Sequence, residues 1–317
     1  MWLCCVWLLI LGLCGSVLGV PSASPGVRVE KDIPYVSGGD SSQRLDLYLP
    51  EPPPDKPLPL IVWIHGGGWR SGSKTGCPAI RWVTNGYAAA SVEYRFSQKA
   101  VFPAQLQDCQ AAIRWLRANA GKYHLDPNHI GVWGASAGGH LAALVGTCGG
   151  KRVFAPIGGN EDQSDQVQAV CDMYGPANFS TVVQQAADDE KNIKNIFKFN
   201  TPDDPYSCLI GAPLSDKPKA DAVSPVHYVS RDTPPFLILH GTRDALVPFA
   251  QSLELATALR ENGVPVLLQK FPGAGHGGAV FGRPVVNDLI RKFFDKYLKG
   301  LDVKVEPIPE SELTVTR

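Results

Sequence analysis

Residues 130–145 constrain the fold of this chain more tightly than any other stretch. Ile130-Gly131-Val132-Trp133 is a short apolar run. Gly134-Ala135-Ser136-Ala137-Gly138 sets a serine among small residues, and Gly139-His140-Leu141-Ala142-Ala143-Leu144-Val145 follows with the small-residue content of a closely packed helix. A strand that becomes a helix within so few residues brings the two elements close together and strains the backbone of the residue at the tip. Side chains two positions either side of that residue would clash, which accounts for the glycines. The pattern is G-x-S-x-G in the strand–turn–helix setting that exposes a serine at the top of a sheet. By itself the pentapeptide also reads as a glycine-rich turn with an incidental serine, so the rest of the chain has to decide.

The flanking sequence supplies a strand–helix alternation. Apolar runs at 58–64, 86–95, 167–174, 234–240 and 264–271 have the continuous pattern of strands buried on both faces. Helical patterns at 103–120, 249–262 and 284–298 separate several of them. Segments 27–37 and 43–50 alternate apolar and polar residues around Gly38-Gly39-Asp40, which predicts an antiparallel hairpin with one wet face. The expected fold is therefore α/β, a mostly parallel central sheet with helices on both faces. Residues 27–300 form one domain in this reading, with a helical and loop insertion at about 176–226 where the alternation lapses. Residues 301–317 are a short proline-punctuated tail to which the sequence gives no role.

Thirty basic residues balance thirty acidic ones in 317, so bulk charge offers no support for a nucleic-acid or anionic-membrane partner. Residues 1–20 are uncharged beyond the amino terminus and mostly apolar, with small residues clustering near Gly19; they read as a secretory signal peptide, or as a membrane anchor if retained. Three of the eight cysteines, Cys4, Cys5 and Cys14, lie in that leader. Cys77, Cys109, Cys148, Cys171 and Cys208 remain, an odd number that allows at most two disulfides. A Cys171–Cys208 bridge would tie the end of a strand to the insertion, while five unpaired thiols acting as small hydrophobes is the competing reading.

In an open parallel sheet, sites gather at the carboxyl ends of the strands. Four loops in that position carry chemistry-bearing residues: His65-Gly66-Gly67-Gly68-Trp69, Ser136, Asp244 and His276. A serine hydroxyl is a poor nucleophile until a base takes its proton, and His276 can do so. A carboxylate at Asp244 would fix the imidazole tautomer and stabilise its positive charge. The N–H groups of Gly66, Gly67 and Ala137 could hold the oxyanion of a tetrahedral intermediate. Each piece has a plainer reading: His276 as a loop histidine, Asp244 as the cap of the turn before Pro248, and 66–68 as a tight turn. Their order, serine then acid then histidine, is that of the α/β-hydrolases and not of chymotrypsin or subtilisin. His65 reads as a brace of its own loop, His140 and His240 as structural, and His124 and His129 as exposed. The run from Gly68 to Thr75 fails as a phosphate loop because Ser73 breaks the spacing. Without H-E-x-x-H or paired C-x-x-C there is no evident metal site, and no cofactor is implied.

These residues resemble the α/β-hydrolase superfamily, in particular its HGGGW-type esterase/lipase branch, which holds hormone-sensitive-lipase-like enzymes and bacterial feruloyl- and acetyl-xylan esterases. The resemblance covers about residues 27–300. It rests on His65 to Trp69, Ser91-Val92-Glu93-Tyr94-Arg95, Gly134 to Gly139, His240-Gly241-Thr242-Arg243-Asp244 with Val247-Pro248, and Gly275-His276-Gly277. It implies Ser136, Asp244 and His276 as catalytic residues, Gly66, Gly67 and Ala137 as oxyanion donors, and Trp69 as a substrate contact. It also implies a serine carboxylesterase for short- to medium-chain acyl esters, acetyl or feruloyl esters of plant polysaccharide among them. A prolyl-oligopeptidase-like peptidase is one alternative, although such enzymes usually carry a propeller domain for which this length leaves no room. A non-catalytic binding protein on the same fold is the other, and it predicts a broken triad that the sequence does not show.

Overall fold

The computed structural model describes residues 26–189, 193, 198–201 and 203–313, so the leader segment lies outside it. Within those residues one sheet holds eight strands: β1 (Val27–Pro34), β2 (Arg44–Pro50), β3 (Leu58–Ile64), β4 (Ala88–Val92), β5 (Leu125–Ala135), β6 (Ala169–Met173), β7 (Phe236–Gly241) and β8 (Val266–Phe271). Their spatial order is β1-β2-β4-β3-β5-β6-β7-β8. The β1/β2 and β2/β4 pairs are antiparallel and the rest of the sheet is parallel. The helices are α1 (Ala104–Ala118), α2 (Ala120–Tyr123), α3 (Ala137–Cys148), α4 (Val182–Asp189), α5 (Pro205–Ile210), α6 (Lys217–Ala222), α7 (Phe249–Glu261), α8 (Pro284–Lys299) and α9 (Glu310–Leu313).

The two-residue period of a strand explains the two cores. On β3, Leu60, Val62 and Ile64 face one core while Ile61 and Trp63 face the other. The first core receives Leu106 and Ile113 of α1, Leu141 and Leu144 of α3, and Leu255 and Leu259 of α7. The second receives Phe293, Phe294 and Leu298 of α8, and Trp82 from a 3-10 turn at Pro78–Asn85. The sheet is thus covered on both faces, as its uninterrupted apolar strands require.

Three expectations need correction. The hairpin has no wet face along β2: Leu45 to Leu49 are all buried, because β2 pairs with β4 on its far side and lies inside the sheet. The Cys171–Cys208 bridge is not formed. Cys171 is a free thiol in the middle of β6, buried with Cys77, Cys109 and Cys148, while Cys208 sits on α5. His124 is half-buried at the end of α2 instead of exposed; its backbone carbonyl accepts the Leu58 N–H at 3.0 Å, which draws the residue against the sheet. Among the described residues, the insertion between β6 and β7 holds α4, α5, α6 and a 3-10 turn at Pro225–Tyr228. Residues 301–313 run back over β8, where the Ile308 N–H donates to Gln269 Oε1 at 2.7 Å and Ile308 and Leu313 join the second core.

Candidate active site

Ser136 sits at the junction of β5 and α3 with φ +57° and ψ −121°, a conformation costly for any L-residue with a side chain. It persists because the surroundings leave no alternative. The Ser136 N–H donates to the Met173 carbonyl at 2.8 Å, and its own carbonyl accepts the His140 N–H at 3.0 Å, opening α3. A Cβ on Gly138 would run into the Ile64 carbonyl oxygen, so only glycine lets α3 start this close to β3.

The sheet brings the other loops to the same edge. His276 Nε2 lies 2.8 Å from Ser136 Oγ, and His276 Nδ1 lies 2.7 Å from Asp244 Oδ2. A carboxylate oxygen only accepts, so Nδ1 carries the hydrogen and Nε2 is left to accept from the serine hydroxyl. The Asp244 side chain is fully buried, which pushes its pKa up, but hydrogen bonds from His240 and His276 outweigh burial and hold it below the usual carboxylate range. Asp244 also does what the plainer reading asked of it: Oδ1 accepts the N–H groups of Leu246 at 2.8 Å and Val247 at 2.9 Å, capping the turn.

The glycine-rich loop after β3 packs directly against the serine. A Cβ on Gly66 would stand 2.8 Å from the Ala135 carbonyl oxygen and 3.3 Å from Ser136 Cβ, so the backbone can approach only because that atom is missing. Ala137 is the first residue of α3, and a first-turn N–H has no partner inside its helix. The positive end of the helix dipole also favours negative charge at that point. Gly66, Gly67 and Ala137 all line the cavity that holds Ser136 and His276.

The loop is held from behind. His65 Nδ1 and Nε2 contact the Gly66 carbonyl at 2.7 Å and Glu93 Oε1 at 2.9 Å, and its ring stacks on Tyr94 at 4.5 Å. Trp69 adopts φ +57° and is almost fully buried, yet forms part of the cavity wall. Its indole N–H donates to His140 Nδ1 at 3.2 Å, and His140 Nε2 in turn donates to the Val223 carbonyl at 2.7 Å. Burial pulls the His140 pKa down to about 4, so this neutral ring links the glycine loop, α3 and the insertion.

The cavity measures about 330 Å³. Apolar walls come from Trp69, Tyr174, Pro176, Tyr206, Leu246 and Val247. Tyr174 packs edge-on against His276 at 4.7 Å, and burial lifts its phenol to about 12, so it is uncharged beside the imidazole. Three residues at the site escape the sequence reading. Tyr174 and Tyr206 carry no motif, and Tyr206 comes from the irregular insertion. His240 is read as structural, although a polar residue closing the buried run Phe236-Leu237-Ile238-Leu239 is the kind of exception that signals a specific partner. Its Nε2 lies 3.1 Å from Asp244 Oδ2. Chemically, the arrangement can move a proton from a serine to an imidazole beside a carboxylate, next to backbone N–H groups able to face an oxyanion.

Comparison with known proteins places the chain. Residues 45–259 match the BD-FAE family. Esterase LipQ of Mycobacterium tuberculosis is 32% identical over 250 residues, covering 77% of this chain and 56% of LipQ. The chain spans a little over half the length of the curated relatives it matches. A truncated carbohydrate esterase from gut microbiota superposes with a TM-score of 0.76 at 29% identity, over 86% of this chain and 96% of that one. An acetyl ester-xyloside bifunctional hydrolase from Caldicellulosiruptor lactoaceticus gives 0.60 at 29% identity, over 81% and 84%. With a serine elbow after the fifth strand of a β1-β2-β4-β3-β5-β6-β7-β8 sheet, the chain belongs to the BD-FAE family and has the α/β-hydrolase fold.

Proposed function

We propose that this chain is a serine carboxylesterase that hydrolyses short acyl esters through an acyl-enzyme. The observation that carries the reading is the continuous hydrogen-bond path from Ser136 through His276 to Asp244, opening on an apolar cavity lined by Gly66, Gly67 and Ala137. Ser136 Oγ attacks the ester carbonyl while its proton passes to His276 Nε2. The carbonyl oxygen becomes an oxyanion facing the N–H groups of Ala137, Gly66 and Gly67. As the C–O bond breaks, His276 returns the proton to the leaving alcohol, and the acyl group stays on Ser136. Water then gives a proton to His276 and attacks the acyl-enzyme; collapse of that intermediate releases the carboxylic acid and restores the serine.

A cavity of this size is at the small end of ligand sites, which suits a short acyl group with its alcohol directed outward. Two structural neighbours are named as a carbohydrate esterase and an acetyl ester-xyloside hydrolase, which supports a carbohydrate-linked acetyl ester as the natural substrate. Ser136→Ala is expected to leave about a thousandth or less of wild-type turnover on p-nitrophenyl acetate. Near-normal turnover in that variant would contradict the assignment. A panel of acetylated xylan, feruloylated xylan and aminoacyl p-nitroanilides assigns the natural class, and preferential cleavage of the anilides would mark a peptidase instead.

We infer also that residues 1–20 direct the chain out of the cytosol and are removed, on the strength of their uncharged apolar run and the small residues near Gly19. Amino-terminal sequencing of the exported protein is expected to begin close to Val20 or Pro21. A full-length chain recovered in the membrane fraction would establish the anchored form instead.

A further inference from the structure

The carboxylate of Asp244 faces the positive charge that develops on His276, so whatever fixes that carboxylate fixes the base. Its Oδ1 is held by two backbone N–H groups, those of Leu246 and Val247. Its Oδ2 has two imidazole partners, His276 Nδ1 at 2.7 Å and His240 Nε2 at 3.1 Å. His240 lies one residue before the end of β7 and has no exposed surface. Its Nε2 also lies 3.0 Å from the Val247 carbonyl oxygen, while its Nδ1 lies 2.6 Å from Ser252 Oγ on α7. Carbonyl and carboxylate oxygens only accept, so Nε2 bears a hydrogen shared between them. In the uncharged ring, Nδ1 then accepts from the Ser252 hydroxyl. The Phe249 ring, edge-on at 5.6 Å, closes the remaining side.

We propose that His240 is a positioning residue for the reaction: it anchors Asp244 Oδ2 from within the protein, in the orientation that meets His276 Nδ1. It does not touch the reacting atoms. The inference rests on the ester-hydrolase reading above. Its physical basis is a difference between the two imidazoles that share Oδ2. His276 belongs to a surface loop with left-handed glycines at 273, 277 and 278, whereas His240 is tied to a sheet strand, a helix and the Asp244 turn at once. With only the loop histidine on Oδ2, the carboxylate could follow that histidine's motion and lose the geometry that proton transfer needs. Hydrogen bonds from both rings help to keep Asp244 ionised against its burial. A residue that merely fills the space between β7 and α7 would affect how much protein folds, not how fast each folded site turns over.

The test compares wild type with His240→Leu, which keeps apolar bulk and removes both the Nε2 donor and the Nδ1 acceptor, and with His240→Gln, whose amide nitrogen can reach the place of Nε2. Competent serines are counted by complete reaction with an irreversible phosphonate ester, and kcat and KM are then measured per titrated site on p-nitrophenyl acetate. His240→Leu is expected to lower kcat by about 10- to 100-fold, the range seen when a residue that orients a working ligand is removed. KM should stay within about threefold, because the interaction lost is one that matters in the transition state. His240→Gln should recover most of the lost turnover. Wild-type kcat in His240→Leu, a loss confined to KM, or a glutamine variant as slow as the leucine one would each overturn the proposal. If the leucine variant fails to fold, Ser252→Ala decides, since it removes the hydroxyl that fixes the His240 ring. A kcat lowered by about threefold or more supports the inference and an unchanged kcat overturns it. A wild type that cleaves no ester overturns the functional reading and this inference with it. An active wild type matched by an equally active His240→Leu overturns this inference alone.

Discussion

Tyr206 lines the cavity that holds Ser136 and His276, and it does so from a short helix that no motif announces. Its ring meets Trp69 at 5.4 Å and Phe179 at 4.8 Å, with the ring planes inclined at 72° and 62°, so an aromatic cluster forms the wall. The residue is almost wholly buried, yet it borders the space beside Ser136. A wall of rings limits how long an acyl chain can be, because each further methylene must displace a packed side chain. Tyr206→Leu shortens that wall while keeping it apolar. The expected result is a rise of roughly tenfold in the ratio of kcat/KM on p-nitrophenyl octanoate to that on the acetate, a change typical of one or two added methylenes in an apolar pocket. Taking the ratio within one preparation cancels any loss of folded protein. An unchanged ratio would mean that the acyl chain does not lie against Tyr206.

Among the elements, those legible in sequence are the ones whose partners are implied by their own pattern. A run such as Leu58–Ile64 is apolar at every position because both of its faces are covered, and the apolar stretches at 130–133 of β5 and 236–239 of β7 show the same. The elbow is legible for a different reason: strand, turn and helix are contiguous, so the steric demand falls on neighbouring residues. Ser136, Asp244 and His276 are singled out by their positions after buried strands, and the parallel sheet carries those loops to one edge. What escapes depends on partners distant in the chain. β2 alternates in sequence but is buried from Leu45 to Leu49, because it pairs on its second side with β4, some forty residues further along the chain. The Cys171–Cys208 pairing rests on a strand end lying next to the insertion that follows it, and that adjacency does not say which way a side chain points; the Cys171 thiol is spent filling the sheet core. The site role of Tyr206 depends on Trp69 and Phe179, and that of His240 on Asp244, Val247 and Ser252 together. Residues 301–313 pack through scattered contacts, among them the Leu301 and Ile308 N–H bonds, a Lys270–Glu310 ion pair and the apolar side chains of Ile308 and Leu313, which leave no periodic trace.

The molecule as a whole keeps its stability in a sheet covered on both faces, and the Asp172 carboxyl sits inside it. Asp172 lies on β6 in register with Gly134 of β5 and Ile238 of β7, and it is almost completely buried. Burial lifts its pKa to about 7, against a single opposing hydrogen bond from the Gly175 N–H at 2.9 Å. Its Oδ2 has no partner among the described residues. The consequence for stability has a definite sign. An unfolded aspartate titrates near 3.9, about three units lower, so between those two values the folded chain holds a proton that the unfolded chain has lost. The contribution is therefore fully present below about pH 4 and is lost as pH rises through about 7, with a slope of at most about 1.4 kcal/mol per pH unit. Asp244 behaves in the opposite way: with its pKa depressed, it contributes stability above the unfolded value and loses it only in strong acid. The two effects occupy different windows and can be separated by substitution. Asp172→Asn keeps an acceptor for the Gly175 N–H and cannot ionise. Its stability relative to wild type, measured by urea unfolding, is expected to improve by about 2–3 kcal/mol between pH 5 and pH 8, the integral of that slope over the two units below about 7. Parallel unfolding curves at the two pH values would mean that Asp172 ionises inside the sheet at no cost, contrary to its burial and its single hydrogen bond.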